Sequence, residues 1–249
     1  MLDLLKAVVL FLSALGVSTA SAQDAPSALP QEGANYSGYT QHEFPNRVLF
    51  GDTHVHTSYS PDAGMAGTTL TPDDAYRFAR GETVTSSTGI PVRLGRPLDW
   101  MVITDHSENL GLPIAIQRQD SSLMENEWGR EMAELFAEGT LESAREAIDR
   151  YQAVLNALED PLEGTDFGRK SWEEIIDSAE RNYSPGAFSA IIGYEWTPAP
   201  QGRNIHRNVI FRDSGERARQ VMPLSAYDTE DPEKLWDWMA MYEEKTGGQ

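Results

Sequence analysis

The chain has 249 residues, 40% of them apolar and 24% charged, and a formal net charge of −19 at neutral pH. This composition fits a globular protein and excludes a nucleic-acid-binding face, which needs clustered Lys and Arg against phosphate. The absence of cysteine excludes disulfides, thiolate metal sites and cysteine nucleophiles.

An apolar run from Ala7 to Val17 leads into Ala20-Ser21-Ala22, so residues 1–22 read as a secretory signal peptide cut before Gln23. The run is shorter than the roughly 20 residues a membrane span needs. The mature chain is therefore expected to have no span and to be periplasmic or secreted. Residues 23–46, rich in Pro, Ser, Gly, Asn and Gln, read as an N-terminal linker, and 47–249 as the folded domain.

Val48-Leu49-Phe50 predicts a short buried strand that delivers "GDTHVHTSYSPDAG" (51–64). "TPDDAYRFARG" (71–81) predicts a helix, with Thr71 as cap, Pro72 in the first turn, Asp73 and Asp74 at the positive end and Gly81 at the stop. "WMVIT" (100–104) predicts a second buried strand ending at Asp105-His106. From Ser122 to about Leu158 the apolar spacing suits one or two surface helices with a break near Gly139. These helices read as solvated faces, or else as a partner surface or lid. "SWEEIIDSAERNYSPG" (171–186) predicts a helix. "AFSAIIGYEW" (187–196) predicts a third buried strand ending near Glu195, and "HRNVIF" (206–211) a fourth with His206 at its start. "DPEKLWDWMAMYEEKTGG" (231–248) predicts a final helix. Its Trp236 and Trp238, two positions apart, cannot share one face and are expected in the core rather than at a substrate platform.

Strands alternating with helices imply an α/β protein with parallel pairing, either a barrel or a doubly wound sheet. Histidines and carboxylates fall at strand C-terminal ends, where such folds place active sites. His54 and His56 lie on one face of an extended chain, because the side-chain period is two. Two adjacent imidazoles can grip one divalent ion, and without thiols a metal must be held by imidazole and carboxylate. An isolated HxH is equally a pair of surface or capping histidines. Asp62 sits on a Ser/Pro/Gly loop able to fold back over His56, while Asp105-His106 and Glu195 each end an apolar strand. A carboxylate buried there needs a cation. For Glu195 the alternative is a salt bridge to an arginine such as Arg203; for His206, a satisfied polar residue at a strand start. Asp52 and Glu108 are at least as readily capping or hydrogen-bonding residues as ligands.

"HVH…D", "ITDHS", "IIGYE" and "HRNVIF" together resemble the successive motifs of the PHP (polymerase and histidinol phosphatase) superfamily. "LFGDTHVHTSYSPDAG", "PDDAYRFARGE" and "PLDWMVITDHSENLG" resemble its exported branch, the domain-of-unknown-function family 3604. The resemblance runs from about Arg47 to the end. It implies a distorted (β/α)7 barrel with two or three divalent ions (zinc, manganese or iron) at the strand C-termini. It implies that His54 and His56 bind a first ion and that Glu195 bridges it to a second held by His206. Asp62 and His106 then hold a third. Asp62 departs from the histidine that many relatives carry there, which puts that third ion in doubt. Asp105 matches the motif as a ligand or as a group orienting His106. The family's later histidine and final Asp-x-His have no counterpart after His206. The chain is therefore expected to be the N-terminal part of a longer protein, with the barrel incomplete and Gly247-Gly248 turning into a further strand; the alternative is a degenerate site with water in the vacant positions.

With no thiol and no evident Ser-His-Asp set, a metal-activated water is the best nucleophile available. The expected function is hydrolysis of a phosphoester or a related oxyanion ester, on a small anionic substrate drawn to the ions despite the acidic chain. Arg80, Arg93, Arg96 and Arg203 are candidates to bind its oxygens. A secreted metal- or ligand-binding protein without turnover, and an amide or lactone hydrolase, are the alternatives.

Overall fold

The computed structural model describes residues 47–249. The expected signal peptide and linker lie outside the described residues. The architecture is mixed α/β, with helices layered on small sheets. In chain order it runs β1 (Gly51–Asp52), α1 (Pro61–Met65), α2 (Pro72–Ala79), β2 (Val84–Thr85), β3 (Pro91–Val92) and β4 (Trp100–Val102). It continues through α3 (Leu112–Arg118), α4 (Ser121–Glu125), α5 (Glu127–Glu138), α6 (Leu141–Ala157), α7 (Phe167–Asn182), β5 (Ser189–Ile191) and β6 (Gly193–Trp196). β7 (Arg207–Ile210), α8 (Gly215–Ala218) and α9 (Pro232–Thr246) complete it.

β1, β4 and β5 form a parallel sheet in the order β1-β4-β5, with Gly51 opposite Trp100 and Met101 opposite Ala190. The pairing outlasts the regular strands. Thr104 N donates to Val55 O at 2.9 Å, Glu195 N to Asp105 O at 3.0 Å and Ser107 N to Glu195 O at 2.8 Å. These bonds set His54, His106 and Glu195 side by side at the C-terminal ends of three strands. The expected fourth strand does form as β7, but it pairs antiparallel to β6, with Glu195 opposite Asn208. The link between them holds only a single 3₁₀ turn, and a parallel return needs a longer crossover. Asn208 Nδ2 then donates to Thr53 O at 2.6 Å, which brings β7 back over the β1 loop. The described strands do not close a barrel.

Val48-Leu49-Phe50 is not the expected buried strand. All three residues are exposed, and the first ladder positions are Gly51 and Asp52. β1 is an edge strand, and the run before it meets the loop of Arg96 and Asp99, through Phe50 N to Asp99 Oδ2 at 2.8 Å, Asp99 N to Phe50 O at 2.7 Å and the Arg96 guanidinium over the Phe50 ring. Gly51 is glycine because the Trp100 indole crosses it: a Cβ there would lie 2.0 Å from the ring.

The helices follow their local signals. Thr71 caps α2 in a capping box with Asp74, as its sequence predicts. The break near Gly139 is real, with Gly139 left-handed at φ 63° between α5 and α6. The region from Ser122 holds a further short piece, α4, and α3 lies just ahead of it. The main core packs α7 against the sheet. Trp172 is fully buried edge-to-face on Tyr194, with ring centroids 6.0 Å apart, and donates its Nε1 hydrogen to Val221 O at 3.1 Å. Truncating such a residue to alanine costs about 3–5 kcal/mol. On α9, Trp238 stacks on Tyr242 against this core, whereas Trp236 is 62% exposed and does not belong to it.

Candidate metal centre

Beyond β1 the chain bends at Thr53, and His54 and His56 follow with ring centroids 5.1 Å apart, both facing Glu195. Thr57 then anchors the segment. Its N and Oγ1 both donate to the buried Asp105 carboxylate, the hydroxyl at 2.7 Å. Asp105 thus ties the end of β4 to the HxH segment rather than orienting His106, and it stands outside the cluster. Burial pushes its pKa up to about 6, against the opposing pull of the Thr57 donors. Ser60 N closes a turn on Thr57 O at 3.1 Å, and α1 begins at Pro61. Asp62 therefore lies in the first turn of a short helix, not on a loop, and does fold back over His56, with both carboxylate oxygens 3.1 Å from His56 Nδ1.

Glu195 is the centre. Its side chain is fully buried, and four imidazoles surround its carboxylate. Oε1 lies 3.2 Å from His54 Nε2 and 2.8 Å from His206 Nδ1, and Oε2 lies 2.9 Å from His56 Nε2 and 3.2 Å from His106 Nδ1. The rings form a closed circuit, with centroid separations of 5.1, 4.7, 6.0 and 6.3 Å in the order His54, His56, His106, His206 and back. Among the described residues no arginine pairs with Glu195; Arg203 is exposed. Four of the chain's five histidines are thus used in one place; the fifth, His42, lies outside the described residues.

The donor set fits divalent metal. His56 Nε2 and Glu195 Oε2 are both buried and only 2.9 Å apart, yet neither has a hydrogen-bond partner. Two electron-rich atoms converging without a hydrogen-bond geometry between them are disposed as ligands of a common cation. Bonds of about 2.05 Å at the tetrahedral angle put two ligand atoms about 3.3 Å apart. Among the described residues three groups have ligand atoms close enough to hold an ion: His54 with His56 and Glu195; His106 with Glu195 and His206; and His56 with Asp62 and His106.

Without metal the cluster shares protons. Burial lowers the His56 pKa, but the Asp62 hydrogen bond and the negative charge of Asp62 and of the close Glu195 carboxylate outweigh it, and the group rises to about 10. Burial likewise opposes ionisation of Asp62 and Glu195. Hydrogen bonds from His106, His56 and Ser60 hold Asp62 far below the usual carboxylate range; His56, His106 and His206 lower Glu195.

The remaining candidates separate. Asp52 Oδ1 accepts from His54 N at 3.0 Å and is a turn cap. Glu108 is buried, and its Oε2 lies 3.9 Å from His106 Nδ1. Arg80 pairs with Glu82 and Asn182, and Arg96 lies over the Phe50 ring. Neither they nor the exposed Arg93 and Arg203 line the cavity beside the cluster. That cavity, about 470 Å³, has α6 as one wall through Tyr151 and Gln152, so the Glu- and Arg-rich helical region does reach the site. Two hydroxyls escape sequence reading. Thr197 Oγ1 is 2.8 Å from His106 Nδ1 and 3.5 Å from His206 Nδ1, and Ser60 Oγ is 3.2 Å from His56 Nδ1. Nothing in the pattern around either residue marks it.

Among the described residues no helix is long and apolar enough to cross a membrane. No curated protein and no solved structure matches the chain. A family model described as "Protein of unknown function (DUF3604)" matches residues 43–249.

Proposed function

Because the chain belongs to the DUF3604 family, whose match spans the four clustered histidines and Glu195, we propose that it is an exported, metal-dependent hydrolase of phosphoesters or related oxyanion esters. The observation that carries this reading is the fully buried Glu195 carboxylate, faced by four imidazoles of which two, His106 and His206, line a cavity. The motif resemblance to the PHP superfamily, and the location of the site at strand C-terminal ends, support the same reading and a barrel-type ancestry for the sheet.

Lone pairs limit the number of ions to two. A neutral imidazole has one lone pair, so it binds metal through one nitrogen while the other carries hydrogen. His56 turns Nε2 to Glu195 and Nδ1 to Asp62; His106 turns Nδ1 to Glu195 and Nε2 to Asp62, the last at 3.5 Å. One ion would be held by His54, His56 and Glu195, and the other by His106, Glu195 and His206, with the Glu195 carboxylate shared between them. Asp62 then accepts hydrogens from the outer nitrogens of His56 and His106 and fixes both rings. A third ion on Asp62 would take the nitrogens away from the first two.

Divalent ions bound there supply an acidified water as nucleophile and neutralise the oxygens of the transferring group. The chain's own residues do the rest. Glu195 brings negative charge to the centre, Ser60 Oγ beside His56 Nδ1 steadies that ring, and α6 forms one wall of the adjoining cavity. Among the described residues no lysine or arginine lines the cavity, so the ions would be its source of positive charge for a substrate anion. The test is to load purified protein with zinc, manganese or iron and assay phosphomonoesters, phosphodiesters, sulfate esters and lactones. Metal-dependent turnover of a phosphoester supports the reading. No turnover at full metal occupancy leaves a metal- or ligand-binding role, and turnover of lactones alone replaces the substrate class.

A further inference from the structure

The cavity beside the cluster has an unusual lining. Asp62, His106 and His206 form the side nearest Glu195. The rest mixes apolar walls, Leu155 and Leu158 among them, with four carboxamides, Gln152, Asn156, Gln201 and Asn204, and two carboxylates, Glu108 and Glu230; among the described residues no lysine or arginine lines it. At about 470 Å³ it falls within the range of small-molecule sites.

Glu108 shows what the cavity requires. It is 2% exposed. Its Oε1 is fully engaged, accepting from Ala226 N at 2.7 Å, Ser107 Oγ at 3.2 Å and Thr197 N at 3.3 Å. Its Oε2 is buried and has no hydrogen-bond partner. A buried carboxylate oxygen left unpaired is costly, and such atoms in folded proteins almost always have a partner. One oxygen is held by three donors, while the other, 3.9 Å from His106 Nδ1, is left without a hydrogen bond in a residue that lines the cavity.

We propose that this cavity binds a polyhydroxylated group, a sugar or polyol, with Glu108 Oε2 receiving a hydrogen bond from one of its hydroxyls. A hydroxyl both donates and accepts, which matches carboxamides that also do both. A cationic amine only donates. It would satisfy the carboxylates but leave the carboxamide N–H groups unmatched. The aromatic wall a quaternary amine favours is also missing: Tyr151 lines the cavity, but its hydroxyl points back to Glu108 O at 3.2 Å. In combination with the proposed hydrolysis, the hydroxylated group is the leaving alcohol of the ester. That last step rests on the hydrolase reading; binding of the group itself does not.

Two measurements on the full chain test this separately. The first is saturation-transfer NMR of myo-inositol, glucose and choline against metal-free protein, wild type and the variants Glu108→Gln and Gln201→Ala/Asn204→Ala. The exposed double variant removes two carboxamides without disturbing a buried group, so it remains informative if Glu108→Gln fails to fold. Transfer to inositol or glucose that falls in the variants is expected. Transfer to choline alone, or to none of the three, overturns the inference. The second is kcat/KM of metal-loaded protein on glucose 6-phosphate, propyl phosphate and phosphocholine. The sugar phosphate is expected to exceed the other two by about tenfold to a hundredfold, the worth of one hydrogen bond to a charged group, with the preference lowered in both variants. Equal rates on sugar and propyl phosphate, or a preference for phosphocholine, overturn the inference. If no ester is cleaved but sugar binding is present and falls in the variants, the cavity assignment stands and the hydrolase reading fails.

Discussion

Replacing Glu195 by glutamine keeps the shape of the side chain and removes its charge. In the metal-free protein that charge and Asp62 together raise the His56 pKa from 6.5 to about 10. The difference of about 3.5 units is worth about 5 kcal/mol, at 1.36 kcal/mol per unit. A raised folded-state pKa stabilises fully below the unfolded value and loses the effect as pH rises through the folded one. The stabilisation is therefore complete below pH 6.5, about 4 kcal/mol at pH 7, about 1 kcal/mol at pH 9 and gone above 10. Glu195 and Asp62 both raise the His56 pKa, Asp62 the more strongly, so somewhat under half belongs to Glu195. Glu195→Gln should cost about 2 kcal/mol at pH 7 and under about 1 kcal/mol at pH 9, somewhat offset because a charge is no longer buried. Urea unfolding of chelator-treated wild type and variant at the two pH values measures both differences. A penalty equal at pH 7 and 9, or absent at both, would refute the proton-sharing description of the cluster.

Metal affinity should rise about tenfold per pH unit between pH 7 and 9, because binding must displace the His56 proton, and calorimetry in buffers of different ionisation enthalpy should count its release. Affinity independent of pH in that window would contradict the assignment of His56 as a ligand. Asp62→Asn should keep two ions per chain while weakening them about 10- to 100-fold, the usual cost of losing an outer-shell acceptor; a drop in stoichiometry by one, with the other affinity unchanged, would show Asp62 ligating an ion of its own. Gly51→Ala must push the Trp100 ring aside, since a Cβ meets it at 2.0 Å. A loss of about 1–3 kcal/mol in denaturant stability is expected, and an unchanged midpoint would contradict the close β1–β4 approach.

Much of the centre is legible in the sequence because its logic is local. Period two puts His54 and His56 on one face, the Ser60-Pro61 turn returns Asp62 to His56, and the apolar run before Glu195 buries its carboxylate. The apolar helix spacing and the cap at Thr71 are local too. What the sequence does not carry is partnership. "HRNVIF" has no direction of its own, so the antiparallel β6–β7 pairing emerges only from the short connection. Val48-Leu49-Phe50 reads as buried because it is apolar, but burial depends on a neighbour, and among the described residues no strand pairs with the outer edge of β1. Trp236 and Trp238 differ only in which side of α9 meets Tyr194 and Phe211. Asp105 looks like a ligand in sequence and is claimed by Thr57 in space, and the role of Thr197 depends wholly on where β6 ends.

Anomalous diffraction from crystals of zinc- or manganese-loaded protein tests the central claim most directly. Two peaks are expected, one on each side of the Glu195 carboxylate, the first contacting His54 and His56 and the second His106 and His206. A metal-loaded crystal with no peak within bonding reach of Glu195, or with its ions bound elsewhere, would contradict the account.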